Sequence, residues 1–81
     1  AFPNPFERLT MISYSLTNAA NVSIDLYNES GLNVKQLVVN EAQSAGDYQF
    51  AFDGSRLPSG IYFCSVLING KTTIYKLVLN R

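Results

Sequence analysis

Leu57-Pro58-Ser59-Gly60-Ile61-Tyr62-Phe63-Cys64-Ser65-Val66-Leu67-Ile68 is the stretch whose reading decides the fold. It opens as a corner, because proline fixes φ near the turn value and glycine supplies conformations closed to other residues. Residues 61–68 then run with almost no polar break. The run is too short to span a bilayer and is rich in β-branched and aromatic types, so it reads as a strand. Both of its faces are largely apolar, which places it in the middle of a sheet.

Working outward, Asn69-Gly70 is the strongest hairpin signal in the chain and predicts a type I′ turn into a closing strand over residues 72–79. A two-residue turn sets Ile68 against Lys71. The expected register then places Tyr62 opposite Leu77, Cys64 opposite Tyr75 and Val66 opposite Thr73, with Tyr62, Cys64 and Val66 facing the core. The other face of the hairpin carries Ile61 with Val78, Phe63 with Lys76, Ser65 with Ile74 and Leu67 with Thr72. Upstream, Asp53-Gly54-Ser55 is a turn. Tyr48, Phe50 and Phe52 recur at period two and predict a strand with an aromatic inward face. Residues 40–46 are small and polar and read as a connecting loop. Residues 34–39 read as a strand with confused parity, because Val34 and Leu37 share a face only across a bulge. Asn28-Glu29-Ser30-Gly31 is a turn with a positive φ expected at its glycine. Val22, Ile24 and Leu26 alternate with Ser23 and Asp25, with Tyr27 pointing away, and Ile12, Tyr14 and Leu16 alternate with Ser13 and Ser15. Phe2-Pro3-Asn4-Pro5-Phe6 excludes a helix and reads as a linker or an edge segment.

This gives six strands, and a seventh if residues 2–6 supply one. Turn signals recur every 8–12 residues or so and no segment has helical period, which predicts an all-β, small immunoglobulin-like antiparallel β-sandwich. A Tyr just after a Leu-Pro corner and two residues before a Cys matches the tyrosine corner of such sandwiches. Residues 1–81 read as one domain, a module of a longer protein, with no repeat or low-complexity tract.

Composition removes several function classes. Six basic and six acidic residues give zero net charge and are spread singly, which is unlike the basic stripe that nucleic acid or anionic lipid needs. No apolar run reaches the roughly 18 residues of a membrane-spanning helix, so no membrane insertion is expected. With no histidine there is no ordinary general base near neutral pH. Glu7, Asp25, Glu29, Glu41, Asp47 and Asp53 fall at turns or on outward positions and read as solvated surface charge, so no enzyme activity is expected. No His/Cys cluster or Asp-rich loop points to a metal, and no cofactor motif occurs. The single cysteine, Cys64, cannot form an internal disulfide and reads as a small buried hydrophobe. Asn21-Val22-Ser23 and Asn28-Glu29-Ser30 match the glycosylation triplet, a pattern short enough to arise by chance.

The order of motifs resembles the C-terminal sorting domain of the type IX (Por) secretion system of Bacteroidetes. The resemblance rests on Pro3-Asn4-Pro5-Phe6, Ile12-Ser13-Tyr14-Ser15-Leu16, Val22 to Asn28 leading to Gly31 and Val34, Ala45-Gly46-Asp47-Tyr48, Leu57 to Phe63, and Lys76-Leu77-Val78-Leu79. It implies a sandwich at the end of a secreted cargo protein, recognised by outer-membrane secretion components (a shuttle and a sortase) and usually removed at the surface by the sortase. It also implies an upstream cargo domain in the same chain, and a location outside the cell or on its surface. The family's motifs fall on Pro3, Pro5, Gly60, Tyr62, Lys71, Lys76 and Arg81. Cys64 answers to no requirement of the family. The second face of the closing hairpin, with Phe63, Leu67, Ile74 and Val78, is more apolar than a solvated sheet needs, which leaves two readings: it is the recognition patch, or the segment of residues 2–6 or a loop covers it. Two other classes remain open. A carbohydrate-binding module would need a planar aromatic platform, for which Tyr27 and Tyr75 are the exposed candidates. A structural spacer would continue into further chain.

Overall fold

The computed structural model describes residues 9–80, without the side chains of Leu9 and Phe50. Six strands follow one another: β1 (Leu9–Leu16), β2 (Ala20–Asn28), β3 (Asn33–Gln43), β4 (Gly46–Asp53), β5 (Gly60–Ile68) and β6 (Lys71–Leu79). No helix occurs among the described residues. β1 pairs with β4, and the other four form a sheet in the order β3-β2-β5-β6. Every pair is antiparallel. The chain changes sheets three times, so only β2–β3 and β5–β6 are hairpins. The result is a small immunoglobulin-like sandwich. Residues 2–6, the candidate for a seventh strand, lie outside the described residues.

The core follows the period-two alternation of the strands. Ile12 and Phe52 from the small sheet meet Val22, Ile24, Leu26, Cys64, Leu77 and Leu79 from the large one, and none of these is more than 2% exposed. Burying each large apolar side chain contributes about 1.5–3 kcal/mol relative to leaving it in water. Tyr62, Cys64 and Val66 all face this core, as the expected parity requires. On β6 the burial is confined to Leu77 and Leu79. Thr73 and Tyr75 have the same parity but are exposed, and the small sheet contributes only β1 and β4 among the described residues.

The Asn69-Gly70 turn has the expected geometry. Asn69 has φ +49° and Gly70 has φ +79°, which is the pair of positive angles a type I′ turn demands. The β5–β6 register agrees with expectation at every pair, from Gly60 opposite Leu79 to Ile68 opposite Lys71. Gly31 takes the expected positive φ of +84°.

Two strand expectations need correction. Residues 40–46 are not a loop: β3 runs on to Gln43, and only Ser44 and Ala45 connect it to β4. Asn40 takes φ +44° and donates its N–H to Ser23 Oγ at 2.9 Å. That bulge carries the strand past Asn40 and lets Glu41, Ala42 and Gln43 pair with Val22, Asn21 and Ala20. An edge strand with exposed polar side chains has the composition of a loop, so the sequence alone did not separate the two. The confused parity of residues 34–39 does not come from one bulge between Val34 and Leu37: Lys35 and Gln36 pair in regular succession, and the β2–β3 register slips three times, at Val34, at Leu37 and between Val38 and Glu41.

Candidate recognition surfaces

The corner before β5 is built around Tyr62. Its ring is buried, and its hydroxyl donates to the Pro58 carbonyl at 2.6 Å. Leu57 N–H donates to Gly54 O at 3.0 Å and Ser55 N–H to Asp53 Oδ1 at 2.9 Å, so the Asp53-Gly54-Ser55 turn feeds directly into the corner. Gly60 has φ +156°, a backbone conformation side chains rarely adopt, and stands opposite Leu79. The β2–β3 turn closes against the same end. Asn28 Oδ1 accepts from the N–H groups of Ser30 and Leu32, and Glu29 Oε1 accepts from Ile61 N–H at 3.4 Å. Tyr62 and Gly60 therefore shape the corner. Tyr62, at 5% exposed, presents almost no surface to a partner.

The outer face of the large sheet is ordered by register. One row across it is Gln36, Asp25, Ser65 and Ile74; a second is Tyr27, Phe63 and Lys76; a third is Ser23, Leu67 and Thr72. Ile61 and Val78 lie side by side beyond Phe63. Ile74 is 56% exposed and Leu67 36%, while Phe63, Val78, Ile61 and Tyr27 are half-buried. The structure thus brings Phe63, Leu67, Ile74, Lys76 and Val78 onto one face. It puts Lys71 on the opposite parity, at the end of the hairpin. Pro3, Pro5 and Arg81, also expected to take part in recognition, lie outside the described residues. Of the two tyrosines considered as a sugar platform, Tyr27 is half-buried beside Phe63 and Tyr75 is 37% exposed with core-facing parity.

Some arrangements were not visible in the sequence. Tyr14 and Tyr48 face each other across β1 and β4 and stack with ring centroids 5.4 Å apart and planes 13° from parallel. Tyr14 Oη donates to Gln43 Oε1 at 2.7 Å and Tyr48 Oη to the Ser44 carbonyl at 2.6 Å, tying the small sheet to the end of β3. Burial raises the Tyr14 pKa above its ordinary value; the Gln43 contact opposes this, and Glu41 and Tyr48 add to it. A shallow groove beside the stack is lined by Ser13, Ser15, Asp47 and Gln49 as well, and within it Ser15 Oγ donates to Asp47 Oδ1 at 2.7 Å. A further concavity is lined by Lys35, Asp53, Ser55, Arg56 and Leu57. Lys35 and Arg56 are twenty-one residues apart in the chain, and no local motif links them.

Reactive groups are few. The Cys64 thiol is fully buried, and that burial, with a smaller contribution from Asp25, pushes its pKa up to about 11. It is therefore a protonated core side chain at neutral pH. Among the described residues no group of three or more His, Cys, Asp or Glu could hold a metal ion. No helix among them is long and apolar enough to cross a membrane.

Comparison with known proteins gives one match over nearly the full length. The family model described as secretion system C-terminal sorting domain matches residues 1–80. No curated protein matches the chain.

Proposed function

The chain belongs to the family of secretion system C-terminal sorting domains, a type IX sorting signal and not an enzyme family, and from that membership we propose how it works. Residues 1–81 act as one sorting domain at the end of a cargo protein. Outer-membrane components of the secretion machinery recognise it, it directs the cargo across the outer membrane, and a surface sortase then removes it. The observation that carries this reading is the family match over residues 1–80. The match favours sorting over a sugar-binding module or a spacer.

Within that reading, the outer face of the β5–β6 hairpin is the surface the machinery grips. Ile74 and Leu67 are exposed there beside half-buried Phe63 and Val78, and apolar surface rimmed by polar groups favours binding. Phe63 and Val78 extend the patch, with Lys76 beside it. Lys71, Arg81 and the Pro3 and Pro5 entry segment are assigned to the same recognition event. Gly60 and Tyr62 serve it by fixing the corner that sets where β5 begins.

The test is export of the parent protein with Ile74→Asp and Phe63→Asp, run beside deletion of residues 60–81. The deletion should leave the cargo in the periplasm; normal surface delivery without those residues would end the sorting reading. Ile74→Asp should also block export while the isolated domain keeps its melting temperature. If Ile74→Asp and Phe63→Asp are both exported normally, the recognition surface lies elsewhere on the domain.

A further inference from the structure

Lys35 is out of place by its pattern. In register it stands opposite Leu26, which is fully buried, so its side chain leaves β3 on the face that turns toward the small sheet. Its Nζ lies over the Phe52 ring, 5.7 Å from the centroid. An ammonium held over an aromatic face is attracted by the ring quadrupole, and the contact restrains a side chain that would otherwise sample many rotamers. Arg56 lines the same concavity from the turn after β4, together with Ser55. Among the described residues neither Lys35 nor Arg56 forms an ion pair. Asp53 also lines the concavity, and its Oδ1 accepts from Ser55 N–H. The chain as a whole is neutral, yet among the described residues that line this hollow two cations from distant segments stand against one carboxylate, Asp53.

We propose that this hollow between β3 and the β4–β5 turn is an oxyanion-binding site for a phosphoryl group, with Lys35 and Arg56 as its ligating cations. The guanidinium fork pairs two phosphoryl oxygens in one plane, and the ammonium supplies a point charge to a third. Phe52 holds Lys35 in position and makes no contact with the ligand. A free phosphate and a phosphorylated lipid headgroup share this chemistry.

The test is a nitrogen-15 NMR titration of the 81-residue chain with inorganic phosphate, against sodium chloride at matched ionic strength. Saturable shifts are expected at the amides of Lys35, Ser55 and Arg56, with a dissociation constant on the order of 1–10 mM, as a few charge-assisted contacts provide. Lys35→Gln and Arg56→Gln should each weaken that binding about tenfold. Co-sedimentation with phosphatidylglycerol vesicles, against phosphatidylcholine vesicles, distinguishes the source: binding lost in both variants identifies a lipid headgroup, and phosphate binding without sedimentation identifies a small anion. Phosphate shifts no larger than those from chloride, or shifts that persist in both variants, would overturn the site.

Discussion

The two hairpins of the large sheet are built from the same number of chain segments and behave differently. β5–β6 keeps an unbroken register over nine residue pairs, whereas β2–β3 slips three times along its length. The difference begins at the turns. Asn69-Gly70 closes β5–β6 with two residues at positive φ, whose handedness matches strand twist, and that turn leaves one register available. The β2–β3 turn is longer, closed by Asn28 N–H to Leu32 O and Gly31 N–H to Asn28 O, and it does not impose a register by itself. The partners differ too. β5 lies between β2 and β6 and is fixed on both sides, while β3 pairs only with β2 among the described residues. Bulges also suit an edge strand, since they interrupt the row of hydrogen-bonding groups that would otherwise invite another chain. A strand fixed on two sides makes a firm platform, and the bulged strand carries the Lys35 ammonium over the Phe52 ring while Val39 stays 65% exposed.

The contrast breaks hardest at Tyr62. Tyr62→Ala empties a core position on β5 and releases the corner, and urea denaturation should show a loss of about 3–5 kcal/mol. Tyr62→Phe keeps the ring and removes only the 2.6 Å bond to Pro58 O, so the loss should shrink to about 0.5–1.5 kcal/mol. A loss in the phenylalanine variant equal to that in the alanine variant would mean the hydroxyl, not packing, anchors the corner.

The turn comes next. Gly70→Ala forces a side chain into φ +79° and should cost about 1–2 kcal/mol by the same measurement. A Cβ at Gly70 meets nothing within 4 Å, so the cost is conformational and not steric. A stable variant would show that register comes from the strands and not from the turn.

Cys64 sharpens the contrast chemically. The thiol should resist alkylation in the native state at pH 8 and react once denaturant is added; rapid native labelling would show that β5 opens locally. Its folded pKa is raised above the ordinary value of 9.0 to about 11. The folded state therefore favours the protonated thiol. That contribution is complete below about pH 9 and is lost as pH rises toward 11, so stability should decline across that window. Cys64→Ala should remove the thiol's part of the decline.

The smallest effect is expected at the looser turn. Asn28→Ala removes an acceptor for Ser30 and Leu32 N–H groups that water can replace, and should cost about 1 kcal/mol or less. Hydrogen exchange should then rise through Asn33 and Val34 while β5 and β6 keep their protection. Loss of protection across both hairpins would show that they unfold as one unit.

Much of this molecule was written in its residues. Alternation at period two gave the strands and the face each buries, so Ile12, Val22, Ile24, Leu26, Phe52 and Cys64 were legible as core. Asn69-Gly70 gave the whole β5–β6 register, and through it the face shared by Phe63, Leu67, Ile74 and Val78. Alternation tells a strand which way to face but not which strand lies beside it. Pairing β1 with β4 and β2 with β5 was therefore decided by how the sheets stack over a common core. The continuation of β3 through Gln43 was decided by a bulge at Asn40 that composition hides. The meeting of Lys35 with Arg56, and of Tyr14 with Tyr48, was likewise decided in three dimensions, because contacts between residues more than twenty positions apart depend on strand order and twist and leave no local pattern.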